Sequence, residues 1–174
     1  MQAWRLISHH VRNLKAIRFQ EYLRDGYLYI GWETGDCRNQ DFGNRGEIYR
    51  FLKENPEVLI RDNQWFGACC VWAFYHEMKI GDLILLKTGQ CQEPDEAWVR
   101  VVGDYEHVAP TDYPKYYPHR RKIVVAEHPV TEAPRVDWNW LTHDVPLGQM
   151  TEEERRIYDD EQPRCALLRY YDIG

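Results

Sequence analysis

The sequence predicts an α+β domain built on a curved, mixed or antiparallel sheet, and three observations carry that prediction. Strand-like and helix-like segments fall in separate runs rather than in strict alternation. A central stretch is apolar nearly all round, as a helix enclosed by other elements would be. After it, polar turns divide the apolar residues into several short strands. At 174 residues the chain fits a single domain, 1–174.

The elements are predicted in order. Tyr27-Leu28-Tyr29-Ile30-Gly31-Trp32 is apolar and aromatic, follows the turn pair Asp25-Gly26, and reads as a strand. A polar, glycine-containing loop covers 33–43. Asn44 with Glu47 three residues on is a helix start, Ile48, Phe51 and Leu52 share one face, and Pro56 closes the helix. Asp62-Asn63 precedes a helix over 64–77, where Trp65, Phe66, Ala68, Cys69, Val71, Trp72, Ala73 and Phe74 leave no polar face. A turn at 78–82 leads to three strands, 83–87, 97–103 and 122–126; the first is continuously apolar, as a central strand would be. The intervening 104–117 is a polar loop with four tyrosines, 105, 113, 116 and 117, and at 14 residues is long enough to suggest a functional role. Trp138 and Trp140 lie in a polar stretch, Thr151 to Glu154 is a capping box opening a helix to about Asp160, and 166–171 is a closing strand.

Composition narrows the function. The formal charge is -6, from 22 basic and 28 acidic residues, which argues against a duplex binder working by bulk counterion release. Aromatics reach 14%, with seven Trp and twelve Tyr. Trp and Tyr need partners for their polar ends when buried, so a share of them is expected at a surface or pocket. No apolar run is long enough for a membrane span, and 1–10 has no secretory h-region, so a cytoplasmic protein is expected. The five cysteines, 37, 69, 70, 91 and 165, lack paired spacing and are expected as reduced thiols, with Cys69 and Cys70 buried.

Catalytic signatures are missing. No P-loop, GxGxxG, GxSxG or HExxH occurs, and no Cys or His spacing suits a zinc site. His9-His10 reads as a solvated pair and Asp159-Asp160-Glu161 as a solvated helix end. The expectation is a protein that is not an enzyme and uses no metal or cofactor.

Three ordered pieces carry a resemblance. They are Tyr29-Ile30-Gly31-Trp32-Glu33-Thr34-Gly35-Asp36; Met78-Lys79-Ile80-Gly81-Asp82-Leu83-Ile84-Leu85-Leu86 with Val101-Val102-Gly103-Asp104-Tyr105; and Tyr117-Pro118-His119-Arg120-Arg121-Lys122-Ile123-Val124-Val125. Their order and spacing resemble the EVE-like domains of the PUA superfamily, found at the N-termini of McrB-type and other modification-dependent restriction proteins and related to the YTH readers of methylated adenine. The resemblance covers about 27–130, leaving 131–174 as a C-terminal extension. It implies a curved β-barrel flanked by helices that binds DNA or RNA, methylated or otherwise modified, in an aromatic pocket. It also implies association with a GTPase, ATPase or nuclease domain or subunit. The acidic charge and the Trp-containing tail depart from that pattern.

A flipped base costs a few kcal/mol of unstacking, which stacking and edge hydrogen bonds must offset. Trp32, at the strand end before a polar loop, is the leading pocket wall, with packing under the neighbouring helix as the alternative. Tyr105, Tyr117 and Trp65 are further walls, although Trp65 reads more readily as core. Asp36 and Asn39 could read a base edge or simply stabilise a turn. His119-Arg120-Arg121-Lys122 is the densest basic run and is expected to contact phosphate; alternation puts His119 and Arg121 on one face, Arg120 and Lys122 on the other. The rival function is a protein-interaction or small-ligand-binding domain on the same fold without nucleic-acid affinity.

Overall fold

A computed structural model describes residues 1–8, 14–55, 64–89, 95–109, 117–127 and 134–171. The fold is α+β. Its sheet has six strands: β1 (Ala3–Ile7), β2 (Tyr27–Ile30), β3 (Leu83–Lys87), β4 (Glu96–His107), β5 (His119–Val125) and β6 (Leu167–Arg169). Their order across the sheet is β2-β5-β4-β3-β1-β6. β1 and β3 run parallel, Ala3 opposite Leu83 through Ile7 opposite Lys87, while every other pairing is antiparallel. The sheet is therefore mixed. A parallel pair needs a long crossover, and here all of α1 (Lys15–Asp25), β2, α2 (Cys37–Gln40), α3 (Arg45–Glu54) and α4 (Gln64–Trp72) lies between its two strands. Two more helices, α5 (Trp138–Thr142) and α6 (Glu152–Glu161), precede β6.

The expected closed barrel is not what these strands make: among the described residues β2 and β6 remain separate edges and the sheet is open. It is nonetheless curled. β4 carries a bulge between Val101, opposite Ile123, and Tyr105, opposite Arg121. Bulges bend a strand and increase its twist. Gly103 sits inside this one, where a Cβ would fall 2.8 Å from Lys122 Cβ, so only glycine lets the two strands approach. The Tyr22 hydroxyl lies 2.9 Å from the carbonyl of Tyr29 in β2 and 3.4 Å from that of Ser8 beyond β1. One tyrosine of α1 thus spans the gap that the open edge leaves.

Several local expectations correspond to observed elements. The Asn44 side chain caps α3 by accepting from Glu47 N, and α6 has a complete capping box between Thr151 and Glu154. α4 is buried on every side, and β3 is buried at Leu83 through Leu86. Cys37, Cys69, Cys70 and Cys165 are buried free thiols.

Other expectations are corrected. The segment 104–107 is not loop but the end of β4, because the bulge lets pairing resume at Tyr105. The closing strand expected at 166–171 is the shorter β6, which pairs with β1. Trp140 is a core residue whose indole N–H donates to Glu77 Oε2 at 2.8 Å and whose ring meets Trp4 edge-on at 5.6 Å. Trp138 is 42% exposed. Neither β1 nor α1 was expected. His9, His10, Pro56, Cys91, Tyr113 and Tyr116 lie outside the described residues. Among those described, no helix is long and apolar enough to cross a membrane.

Candidate functional site

β2 delivers the chain into the loop that begins with Gly31 and Trp32. Trp32 has φ 61°, a left-handed conformation that costs a bulky residue on the order of 1–3 kcal/mol and persists only where its surroundings enforce it. Two contacts enforce it. The Trp32 carbonyl accepts a hydrogen bond from His119 Nε2 at 2.9 Å. Its half-buried indole rests on α4 at Gly67, where a Cβ would come within 2.6 Å of Cδ1 and Nε1. Packing on the neighbouring helix is thus real, and it leaves the ring partly exposed rather than sealed in the core.

Behind this loop is a chain of directed hydrogen bonds. A carbonyl can only accept, so His119 Nε2 carries the proton and Nδ1 is an acceptor. Tyr105 therefore donates its hydroxyl to Nδ1 at 2.6 Å, and the phenol oxygen accepts from the Cys37 amide at 3.3 Å. The buried Thr34 hydroxyl lies 3.5 Å from both His119 Nε2 and Cys37 Sγ. Nearer the surface, His107 Nε2 donates to Glu33 Oε1 at 3.0 Å, and that oxygen also accepts from Gly35 N at 2.6 Å. Burial pushes His119 down to about 4 and raises the Tyr105 phenol and the Cys37 thiol. All three are uncharged at neutral pH. They suit the holding of a shape better than the movement of a proton.

The helix beside the site is irregular. α4 gives way to a π-helical turn over Ala73–Glu77, a feature frequent at functional sites. Tyr75, in this turn, meets Tyr105 edge-on at 5.3 Å, and the Arg38 guanidinium lies 5.9 Å from the Tyr105 ring centre. Among the described residues, no three His, Cys, Asp or Glu side chains are grouped so that they could hold a metal ion.

The structure divides the predicted residues. Trp32, Asp36 and Tyr105 come together on and behind one loop. Asp36 caps α2 by accepting from Arg38 N and pairs with the Arg38 guanidinium at 2.5 Å, which holds its carboxyl below the usual range; the turn-stabilising alternative describes it. Asn39 is exposed on α2. Trp65 is corrected to core: it is 0% exposed and its indole N–H donates to the Leu141 carbonyl at 2.8 Å. Tyr105 forms an inner support rather than a rim. Tyr117 lies instead under Arg18, whose guanidinium is 4.1 Å from its ring centre, and 6.5 Å from Tyr29.

The four-residue basic stripe is also corrected. The alternation holds, but His119 and Arg121 face the interior, where neither can reach a phosphate. Arg121 is 3% exposed and donates to the carbonyls of Phe74, Tyr75, Met78 and Gly103 at 2.7–3.3 Å. A π turn and a helix end leave carbonyls without their usual partners, and the five-donor guanidinium fits that task. Arg120, half-buried against Tyr27 and Tyr29, and the exposed Lys122 are left on the outer face. Sequence reasoning missed Glu33, Thr34, Cys37, Gly67, Tyr75 and His107. The only signal for Gly67 was a glycine in an otherwise bulky apolar helix, which implies a close approach.

The chain belongs to the DUF8426 family. That family is described as a domain of unknown function, and its model matches residues 6–154. The DUF8426 match takes in every site residue named above and stops short of β6. No curated protein and no solved structure matches the chain.

A cavity of about 600 Å³ lies away from these residues, between the N-terminal segment and the turn before β3. Met1, Glu77, Lys79, Ile80, Asp82 and Arg100 line it. The Asp82 carboxylate is already occupied by Gln2 N, Lys79 N and the Trp4 indole N–H.

Proposed function

We propose that the chain is a nucleic-acid-binding module of the PUA/EVE-like kind that holds a modified or flipped base of DNA or RNA against Trp32. The observation that carries the reading is the half-buried indole, set in a left-handed conformation, backed by Gly67 and tied down by His119. A rigid, partly exposed ring loses little freedom when a base stacks on it. The sheet is mixed and open among the described residues, so the PUA/EVE-like kinship rests on the sequence resemblance and not on barrel closure. Lys122, exposed on the outer face of β5, is the cation offered to a backbone phosphate, with Arg120 packed beside it on Tyr27 and Tyr29. Such a module would act beside a GTPase, ATPase or nuclease partner in a restriction or RNA-related system.

Titration of methylated and unmodified oligonucleotides at low salt tests the reading. Trp32→Ala is expected to weaken binding by roughly 5- to 150-fold, the equivalent of about 1–3 kcal/mol of lost stacking. Absence of binding to every oligonucleotide removes the proposal.

A second reading is a small-ligand domain that would use the open groove of about 600 Å³ beside Lys79, Asp82 and Arg100. Thermal stabilisation by a small-molecule panel, abolished by Arg100→Gln and indifferent to Trp32→Ala, would select it.

A further inference from the structure

We propose that His119 is the positioning residue of the Trp32 loop, and that the loop stays closed on α4 only while this imidazole is uncharged. The argument is one of hydrogen-bond direction. The Trp32 carbonyl requires a proton on Nε2, and the Tyr105 hydroxyl, 2.6 Å away, requires a bare Nδ1. A second proton would force the Tyr105 oxygen to accept from both Nδ1 and the Cys37 amide, and would leave its own hydrogen without that acceptor. The resulting cation would be 0% exposed, a position that nothing but opening of the loop could solvate.

The groups around His119 do not offset this. Glu33 and Asp36 on the loop favour the cation by their charge, but Glu33 is taken by His107 and Gly35 N, and Asp36 by Arg38. From β4, the His107 ring lies 5.7 Å away edge-on and its charge would oppose a second cation; Tyr105 is neutral. In β5, Arg120 and Arg121 follow His119, both cations.

Hydrogen exchange at the Cys37 amide reads this equilibrium directly, because its proton is held by Tyr105. The test needs no ligand; the inference rests on the nucleic-acid reading only for its consequence for binding. An ordinary imidazole titrates at 6.5 in the open loop, against about 4 when closed. Closure should therefore weaken by about 30-fold between pH 8 and pH 5. Cys37 protection, corrected for the intrinsic exchange rate, is expected to fall by that factor while remaining below the protection of Val99 in β4. His119→Gln, which keeps a donor but cannot titrate, should lower protection at pH 8 and remove the pH dependence; His107→Gln should preserve it. Unchanged Cys37 protection in the wild-type chain, or an equal slope in His119→Gln, overturns the proposal. The wild-type series decides alone if the variant does not fold. Where oligonucleotides bind, their affinity should fall over the same range; if none binds at any pH, the nucleic-acid reading fails while the exchange result still stands or falls by itself.

Discussion

Replacing Gly67 by alanine sets two opposed effects against each other, and the structure says which wins. Gly67 lies within α4, with no left-handed φ to protect. In an ordinary helix the change would stabilise by about 1 kcal/mol, since glycine is the poorer helix former by that amount. Here the new methyl would sit 2.6 Å from Cδ1 and Nε1 of Trp32 and 2.9 Å from Cε2. Carbon contacts prefer about 3.5–4.0 Å, so the ring must retreat by roughly 1 Å. Trp65, Phe66 and Ala68 bury the same helix against the core, so α4 cannot retreat instead. Overpacking of this kind costs about 1–3 kcal/mol. The expected outcome is a protein no more stable than wild type and up to about 2 kcal/mol weaker. In a Trp32→Ala background the clash is gone, and the same substitution should stabilise by about 1 kcal/mol. Urea unfolding of the four proteins measures the cycle, with a coupling of about 1–3 kcal/mol expected. Equal stabilisation by Gly67→Ala in both backgrounds would refute the placement of the indole on α4, and with it the argument for a rigid stacking platform.

Three further outcomes follow from named contacts. Acid should destabilise the fold through His119: its folded value of about 4 lies below the ordinary 6.5, so the unfolded chain binds the proton first, and the contribution is complete above pH 6.5 and lost as pH falls towards 4. The loss is at most about 3 kcal/mol, measurable by urea unfolding at stepped pH, and His119→Gln should flatten that part of the curve. Arg121→Met should cost about 3 kcal/mol or more, because it strands buried carbonyls of Phe74, Tyr75 and Met78; a calorimetric change near zero would show that they find other partners. Lys122→Gln should leave the unfolding midpoint unchanged yet lower the salt dependence of oligonucleotide binding by nearly one phosphate contact; an unchanged slope would take Lys122 out of the interface.

Features written locally were legible without coordinates. The Asn44 cap and the Thr151 capping box involve residues three apart, so both ends of each contact appear in a short window. α4 was recognisable as enclosed because its apolar residues leave no polar side. β1 was not, since Arg5 interrupts its apolar pattern; the guanidinium is buried only because the carbonyls of Pro163 and Cys165, some 160 residues away, receive it at 3.0 Å. α1 lacks a local start signal: Leu14 at its N-cap makes no side-chain bond, and the helix is fixed by burying Phe19 and Tyr22 while Ile17 remains 55% exposed.

The candidate site follows the same division. The sequence by itself determined that a tryptophan follows the β2 segment at the start of a polar loop, that a glycine interrupts a bulky helix, and that a basic run alternates in and out of a strand. Which of those cations turn inward was decided only in three dimensions. Alternation assigns residues to two faces, but the choice of the buried face depends on what packs there, and here the π turn after α4 supplies carbonyls that claim Arg121. The same holds for Trp32 and His119, 87 residues apart. Their contact exists because β5 pairs with β2 and sets His119 opposite Ile30. Local chemistry specifies what each residue can do, whereas strand pairing decides which partner it meets.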